Sequence, residues 1–384
     1  MKAIPYGKQF ITQEDIDAVI EVLKSDFMTQ GPRIAEFEKS FAEYIGAKYA
    51  VAVSNGTAAL HLSAMALGVK PGTKVITSPV TFAASANCVL YCGGEISFAD
   101  IEPDTFTLDI NKVSPLLEQH PKGTFSGIIP IDLAGYPVNL EKLRDLADTF
   151  DLWILEDACH APGGYFIDSK NVKQNCGNGI FADLAIFSFH PVKHIATGEG
   201  GMITTNNKAL YEKLLLLRTH GITKDPKILE ENHAGWYYEM HELGYNYRLT
   251  DMQCALGISQ LKRTDDGLKR RQQIAEKYNH AFRNISLVTP SVKENIFHAF
   301  HLYIVLSEQR KALYDHLRKH QIFAQVHYIP VHLQPYYKKL GWKKGDFPLA
   351  ENYYERCLSL PMYPSLTDAE QDYVIDKVIA FFKN

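Results

Sequence analysis

The stretch Phe187-Ser188-Phe189-His190-Pro191-Val192-Lys193-His194, followed by Thr197-Gly198-Glu199-Gly200-Gly201, sets a lysine just beyond an apolar run and beside a glycine-rich turn. The run over residues 184–188 reads as a buried strand. A lysine at the end of such a strand is partly desolvated, which lowers its pKa and frees the amine to attack a carbonyl. A lysine in an ordinary surface turn shares this local pattern, so the position needs support from elsewhere in the chain.

Outward from that run, between about residues 48 and 205, short apolar runs alternate with helical patterns. This is the rhythm of strand–helix–strand units and a mainly parallel sheet. Strands are expected at 49–53, 74–77, 95–99, 127–131, 153–156, 184–188 and 201–204, with helices such as 58–67, 84–91 and 140–149 between them. The fold class is therefore α/β, a mainly parallel seven-stranded sheet flanked by helices, whose function belongs at the carboxyl ends of the strands. Residues 219–247, with Gly221, Pro226, Gly235, Gly244 and the aromatics Trp236, Tyr237, Tyr238, Tyr245 and Tyr247, fit a long ordered loop or an intersubunit arm.

Helices are expected at 250–262 and 268–282, the second a connector to a smaller α+β C-terminal domain. That domain holds a strand at 301–306, a helix at 308–320 and a strand at 324–327. The division falls at residue 263, giving a large domain over 1–263 and a small one over 264–384. The last helix has a start signal, because Thr367 is followed three residues later by Glu370 and then by Val374, Ile375, Val378 and Ile379.

Two further motifs bear on Lys193. In Leu155-Glu156-Asp157-Ala158-Cys159-His160, acids stand at a strand end, where Asp157 can pair with a protonated pyridine nitrogen. In Ser54-Asn55-Gly56-Thr57-Ala58, between a strand and a helix, backbone N–H groups form a phosphate cradle; Gly56 permits close approach and Thr57 adds a hydroxyl. Ser188 can supply one more phosphate hydrogen bond. Taken singly, the acid also reads as a turn residue or helix cap, and the cradle as a capping sequence.

Cradle, strand-end acid and later lysine, in that order on one parallel sheet, resemble the fold-type-I pyridoxal-phosphate (PLP) enzymes. Within them the chain resembles the DegT/DnrJ/EryC1/StrS sugar aminotransferase family. The motifs behind this are Thr29-Gln30-Gly31, Ser54-Asn55-Gly56-Thr57, Thr81-Phe82, Glu156-Asp157, Phe187-Ser188-Phe189-His190, Glu199-Gly200-Gly201 and Gly244-Tyr245-Asn246-Tyr247-Arg248-Leu249. The resemblance implies PLP as cofactor and Lys193 as the Schiff-base lysine. It implies that Asp157 pairs with the pyridine nitrogen and Phe82 stacks on the ring face. Gly56, Thr57 and Ser188 hold the phosphate, and Asn246 reaches it from a partner subunit, so that a homodimer shares its active sites. His160 stands where relatives carry Gln or His near the cofactor's phenolic oxygen; a structural histidine fits the position equally.

The finer resemblance is to the branch that aminates C4 of a UDP-linked 4-keto-6-deoxy-N-acetylhexosamine on the route to pseudaminic acid, with glutamate as donor. It rests on Ser25-Asp26-Phe27-Met28-Thr29-Gln30-Gly31 and Gln325-Val326-His327-Tyr328-Ile329-Pro330. By it, Asp26, Phe27, Met28 and Thr29, together with Gln325, Val326, His327, Tyr328 and Tyr6, line the sugar-nucleotide pocket, and His332 is a further candidate. Bacillosamine- and perosamine-type aminotransferases share much of the pattern, and a plain amino-acid aminotransferase is a further alternative because the cofactor apparatus is common across the fold. A sugar dehydratase of the same fold is a competing reading, although a histidine replaces the lysine in the relatives known for that chemistry. A PLP- or sugar-binding regulator is the non-enzymatic one.

Composition agrees with a globular chain. Of 384 residues, 46% are apolar and 22% charged, enough for a large core. The net charge of −4 comes from intermixed acids and bases, which argues against nucleic acid or an anionic membrane as partner. Cys88, Cys92, Cys159, Cys176, Cys254 and Cys357 form neither a C-x-x-C pair nor a regular framework, so reduced thiols and no metal are expected. The first residues lack a signal-peptide apolar region, no apolar run approaches membrane-spanning length, and the expected location is the cytoplasm.

Overall fold

A computed structural model describes residues 3–231 and 233–383. Its centre is a seven-stranded sheet whose strands, in chain order, are β1 (Tyr49–Val53), β2 (Lys74–Thr77), β3 (Glu95–Phe98), β4 (Gly127–Ile129), β5 (Trp153–Asp157), β6 (Leu184–Ser188) and β7 (Gly201–Thr205). They lie side by side in the order β1-β7-β6-β5-β4-β2-β3. Only β7 runs antiparallel to its neighbours. Val51, Val75, Ile76, Ile128, Ile154, Leu155, Leu184 and Ile186 are all fully buried. Strands covered on both faces carry unbroken apolar runs, which is why they stand out in the sequence.

Register brings the chemistry to one edge. Asp157 pairs with Ile186 across β5 and β6, while Gly201 pairs with both Ser188 and Val53. The ends of β5, β6 and β1 therefore open on the same side. A side chain at 201 would meet the Asn55 carbonyl oxygen at 2.6 Å, so glycine there lets the turn after β1 close against β7.

The helix after β1 runs Gly56–Ala66, two residues earlier than the apolar periodicity suggests, because Asn55 caps it: its side-chain oxygen accepts from Ala58 N–H at 2.8 Å. The shift matters, since it makes Gly56 and Thr57 the first residues of the helix. Helices Gln13–Leu23 and Pro32–Ile45, undetected in the sequence, precede the sheet. Pro32 starts the second and Gly46, in the left-handed region, ends it. A small three-stranded sheet joins Tyr165–Ile167, Lys173–Asn175 and Ile296–Phe297.

Helix Thr264–Ala281 leads to Tyr303–Leu306 paired with Cys357–Leu360, and to helices Arg310–Lys319 and Asp368–Lys383. The last has its capping box: Thr367 N–H donates to Glu370 Oε2 at 2.9 Å and Glu370 N–H to Thr367 Oγ1 at 3.2 Å. A strand over 324–327 does not form. The strand is Ile322–Phe323, and its partner is Ile4–Pro5 from the other end of the chain, in parallel. The described residues of 219–247 form a long loop with one short ribbon, Ile222–Thr223 against Glu239–Met240, and leave Trp236 and Leu243 each 76% exposed.

Candidate active site

The strand ends and the start of helix Gly56–Ala66 enclose a cleft of about 580 Å³. Gly56, Thr57, Phe82, Asp157, His160, Ser188, Lys193, Tyr6, His327 and Tyr328 all line it. Asn55, Cys159 and Tyr247, which stand in the sequence motifs without a role of their own, line it too, as does Ser85, which no motif contains. Asn246 lies outside this lining, tied to Thr219 by an isolated bridge at the root of the long loop. The segment Asp26, Phe27, Met28 and Thr29 is exposed and outside it as well; Gln325 and Val326 flank His327 without reaching the lining. His332 does not join the pocket: it is wholly buried and its Nε2 contacts Glu351 Oε1 at 3.0 Å, beneath the loop that follows.

Each wall has a physical cause. The first N–H groups of a helix have no partner within it, and those of Gly56 and Thr57 have none elsewhere among the described residues. They face the cleft beside Ser188, whose Cβ would lie 3.0 Å from any side chain at 56. Asp157 is fixed on both oxygens: Ser85 Oγ donates to Oδ2 at 2.7 Å, and Cys159 N–H to Oδ1 at 3.2 Å. Thr81, just before helix Ala84–Tyr91, and Ser85 in its first turn share a 2.8 Å hydrogen bond behind it. That i, i+4 pair of hydroxyls beside Phe82 was the signal for Ser85.

Lys193 makes no ion pair among the described residues. Burial pushes its amine below the usual lysine range, opposed by Cys159 and Asp157. His160 accepts from Ala134 N–H through Nδ1 at 3.2 Å, which leaves the proton on Nε2, 3.2 Å from the Tyr328 hydroxyl. Burial also holds His160 well below the ordinary histidine value and His327 at about 3, so both rings are neutral donors or acceptors and not cations. Phe82 stands 62% exposed at the mouth, its ring 6.1 Å from that of Tyr328.

An amine kept below its usual pKa, a fixed carboxylate and a helix start free to bind an anion, on one edge of a β1-β7-β6-β5-β4-β2-β3 sheet, are the parts a PLP enzyme of fold type I requires. The chain belongs to the DegT/DnrJ/EryC1/StrS aminotransferase family, which matches residues 9–379. It is 40% identical to the spore coat polysaccharide biosynthesis protein SpsC of Bacillus subtilis, over 98% of this chain and 96% of the relative. It is 38% identical to the UDP-4-amino-4,6-dideoxy-N-acetyl-beta-L-altrosamine transaminase of Campylobacter jejuni, over 99% of this chain and 98% of that one. A GDP-perosamine synthase of Escherichia coli is 32% identical, with both chains fully covered.

Among solved structures, the Streptococcus pneumoniae sugar aminotransferase Spr1654 in its PLP form superposes with a TM-score of 0.88 at 30% identity, over 99% of both chains. Helicobacter pylori PseC, an aminotransferase of pseudoaminic acid biosynthesis, does so with a TM-score of 0.88 at 31% identity over the whole of both chains. PLP is the cofactor, and the cleft fits it: the Gly56 cradle would be filled by a Cβ, and the Asp157 carboxylate, oriented by Ser85, lines the same cleft. Among the described residues no helix is long and apolar enough to cross a membrane.

Proposed function

We propose that the protein transfers an amino group from glutamate to C4 of a UDP-linked 4-keto-6-deoxy-N-acetylhexosamine, a step toward pseudaminic acid, and that it does so in the cytoplasm as a homodimer. The observation that carries this is the convergence of Lys193, Asp157 and the Gly56–Thr57 helix start on one cleft. Six free cysteines agree with a reducing compartment.

PLP, when bound, supplies an electron sink for the carbon that carries the amino group. The remaining work falls to the chain. Gly56 and Thr57 N–H groups and the Ser188 hydroxyl bind the phosphate, aided by the dipole of helix Gly56–Ala66. Asp157 keeps a proton on the pyridine nitrogen, and Phe82 covers the ring face and excludes water. His160 offers its Nε2 proton to the phenolic oxygen. Lys193 would hold the cofactor at rest, and its free amine would be the group that moves a proton between the amino-bearing carbon and the cofactor's C4′, on either side of the transferred nitrogen. Asn246 and the exposed segment 26–29 act on the neighbouring subunit's site, which explains why they stand clear of their own chain's cleft. Tyr6, His327 and Tyr328 meet the sugar from the small-domain side, with Gln325 and Val326 behind them. For a division of the chain at residue 263, the cluster of Ile274, Tyr278, Tyr303, Leu313, Leu358 and Val374 is the support, although Ile4 joins it and Leu302, Ile304 and Val331 pack with the residues of the large sheet.

Amination of another nucleotide sugar is the second reading, favoured by the full-length likeness to a perosamine synthase. Purified protein given ¹⁵N-glutamate and UDP-linked 4-keto sugars of both C5 configurations should place the label on C4 of one of them. Turnover of simple keto acids but of no nucleotide sugar overturns the proposal.

A further inference from the structure

Directly behind Asp157 lies a second acidic group that the proposed reaction does not use. Asp132, at the turn after β4, and Glu156, the penultimate residue of β5, are each 1% exposed, and Cys176 is 2% exposed. One donor atom from each of the three lies within 4.8 Å of the other two. Glu156 accepts from Gly177 N–H through both oxygens at 3.0 Å, and Asp132 Oδ1 accepts from Val138 N–H at 2.8 Å. Asp132 Oδ2 is buried and has no donor. The backbone couples this pair to the cleft, because Asp132 N–H donates to the Asp157 carbonyl at 3.1 Å.

Two ionised carboxylates cannot share a dry site without a cation, and the facing titratable groups are Asp157, Cys176 and Cys159, none of which is cationic. A proton between the two carboxyls satisfies the orphaned oxygen and removes one charge. We propose that Asp132 and Glu156 hold one shared proton, forming an acid–carboxylate pair that positions Asp157 and keeps a second full negative charge from its back. Burial raises the Asp132 carboxyl to about 6 and lifts Glu156 well above the usual range, in the same direction. The part of this inference that concerns Asp157 rests on the PLP reading above; the shared proton does not.

The test is infrared difference spectroscopy on PLP-free protein at neutral pH. The wild type shows the carbonyl stretch of a buried protonated carboxylic acid. Asp132→Asn and Glu156→Gln each remove it, because an amide donates in place of the acid and the surviving carboxyl ionises. Persistence of the band in both variants, its absence from the wild type, or a stoichiometric metal ion in elemental analysis overturns the shared proton. With PLP bound, the visible absorption of the wild type changes with pH as the shared proton leaves, and D132N loses that transition. An unchanged transition in D132N, with the infrared band lost, overturns the link to Asp157 alone.

Discussion

Ser85 Oγ donates to Asp157 Oδ2 at 2.7 Å across a separation of 72 residues, so the orientation of the carboxylate on β5 is set by the helix that follows β2. Ser85 has a single hydroxyl proton, and Asp157 Oδ2 at 2.7 Å is a nearer acceptor for it than the Phe82 carbonyl at 3.3 Å; with that proton committed, the 2.8 Å bond to Thr81 is donated by Thr81. Ser85→Ala should therefore let the carboxylate turn while leaving the sheet intact. A hydrogen bond to a charged group contributes about 1.5 kcal/mol or more, so PLP should bind roughly tenfold more weakly. Titration of the refolded apo-protein with PLP checks this; unchanged affinity would show that Asp157 is held by Cys159 N–H alone.

Lys193→Ala should abolish the visible band of the bound cofactor and lower turnover by roughly a thousandfold or more, since both the anchoring amine and the proton carrier are gone. Lys193→Arg should do the same, because a guanidinium does not give up its proton. Absorption spectra and single-turnover assays with glutamate read the two effects separately, and a retained band in either variant removes Lys193 from the proposal.

Gly56→Ala tests the cradle. The added methyl would stand 3.0 Å from Ser188 Cβ and 3.3 Å from its Oγ, so Ser188 must move away from the space meant for phosphate. PLP affinity should fall while thermal stability changes little, since alanine is otherwise favourable near a helix start. The sign is clean: a loss of Tm without a loss of affinity would mean that Gly56 serves packing alone.

How much of this was legible in the sequence depends on how far each residue's partner lies along the chain. Residues 49–53, 74–77 and 184–188 were found at the bounds their apolar runs predict, because burial on both faces is written into each strand by itself. The pairing of Ile322 with Ile4 was not, since neither short segment carries a pattern of its own. The same rule holds in the cleft. Lys193, Asp157 and Gly56 each stand beside a strand end that announces itself, whereas Ser85 acquires meaning only through a distant Asp157. His332 sits in a similar aromatic-rich stretch to Tyr328, and only the fold shows it turned inward to Glu351.

Acid should unfold the protein through its buried imidazoles. His298 and His327 are each lowered to about 3, and His160, His194 and His301 are held well below the ordinary value, mainly by burial. Below the unfolded value near 6.5 the unfolded chain takes up protons that the folded chain refuses, so stability is present above that pH and lost as pH falls toward 3. Each such histidine contributes a slope of about 1.4 kcal/mol per pH unit. Urea unfolding between pH 7 and 5 should show a steep decline, and His301→Gln, which replaces a ring whose Nδ1 has no partner, should flatten it. A stability that is level across this window would mean that the imidazoles become solvated before the chain unfolds.

Asn246 offers the sharpest test of a shared site, because it stands outside its own cleft while Lys193 stands inside. In a homodimer where residue 246 serves the partner, a Lys193→Ala chain paired with an Asn246→Ala chain concentrates both lesions in one site and leaves the other intact. Each homodimer alone is impaired at both sites. Random mixing makes half the dimers mixed, so about a quarter of all sites should be restored when the two impaired proteins are unfolded and refolded together. Mixing without exchange of subunits should restore nothing. If co-refolding fails to recover activity although sedimentation shows mixed dimers, Asn246 acts within its own chain, and its position at the root of the exposed loop reflects only the bridge to Thr219.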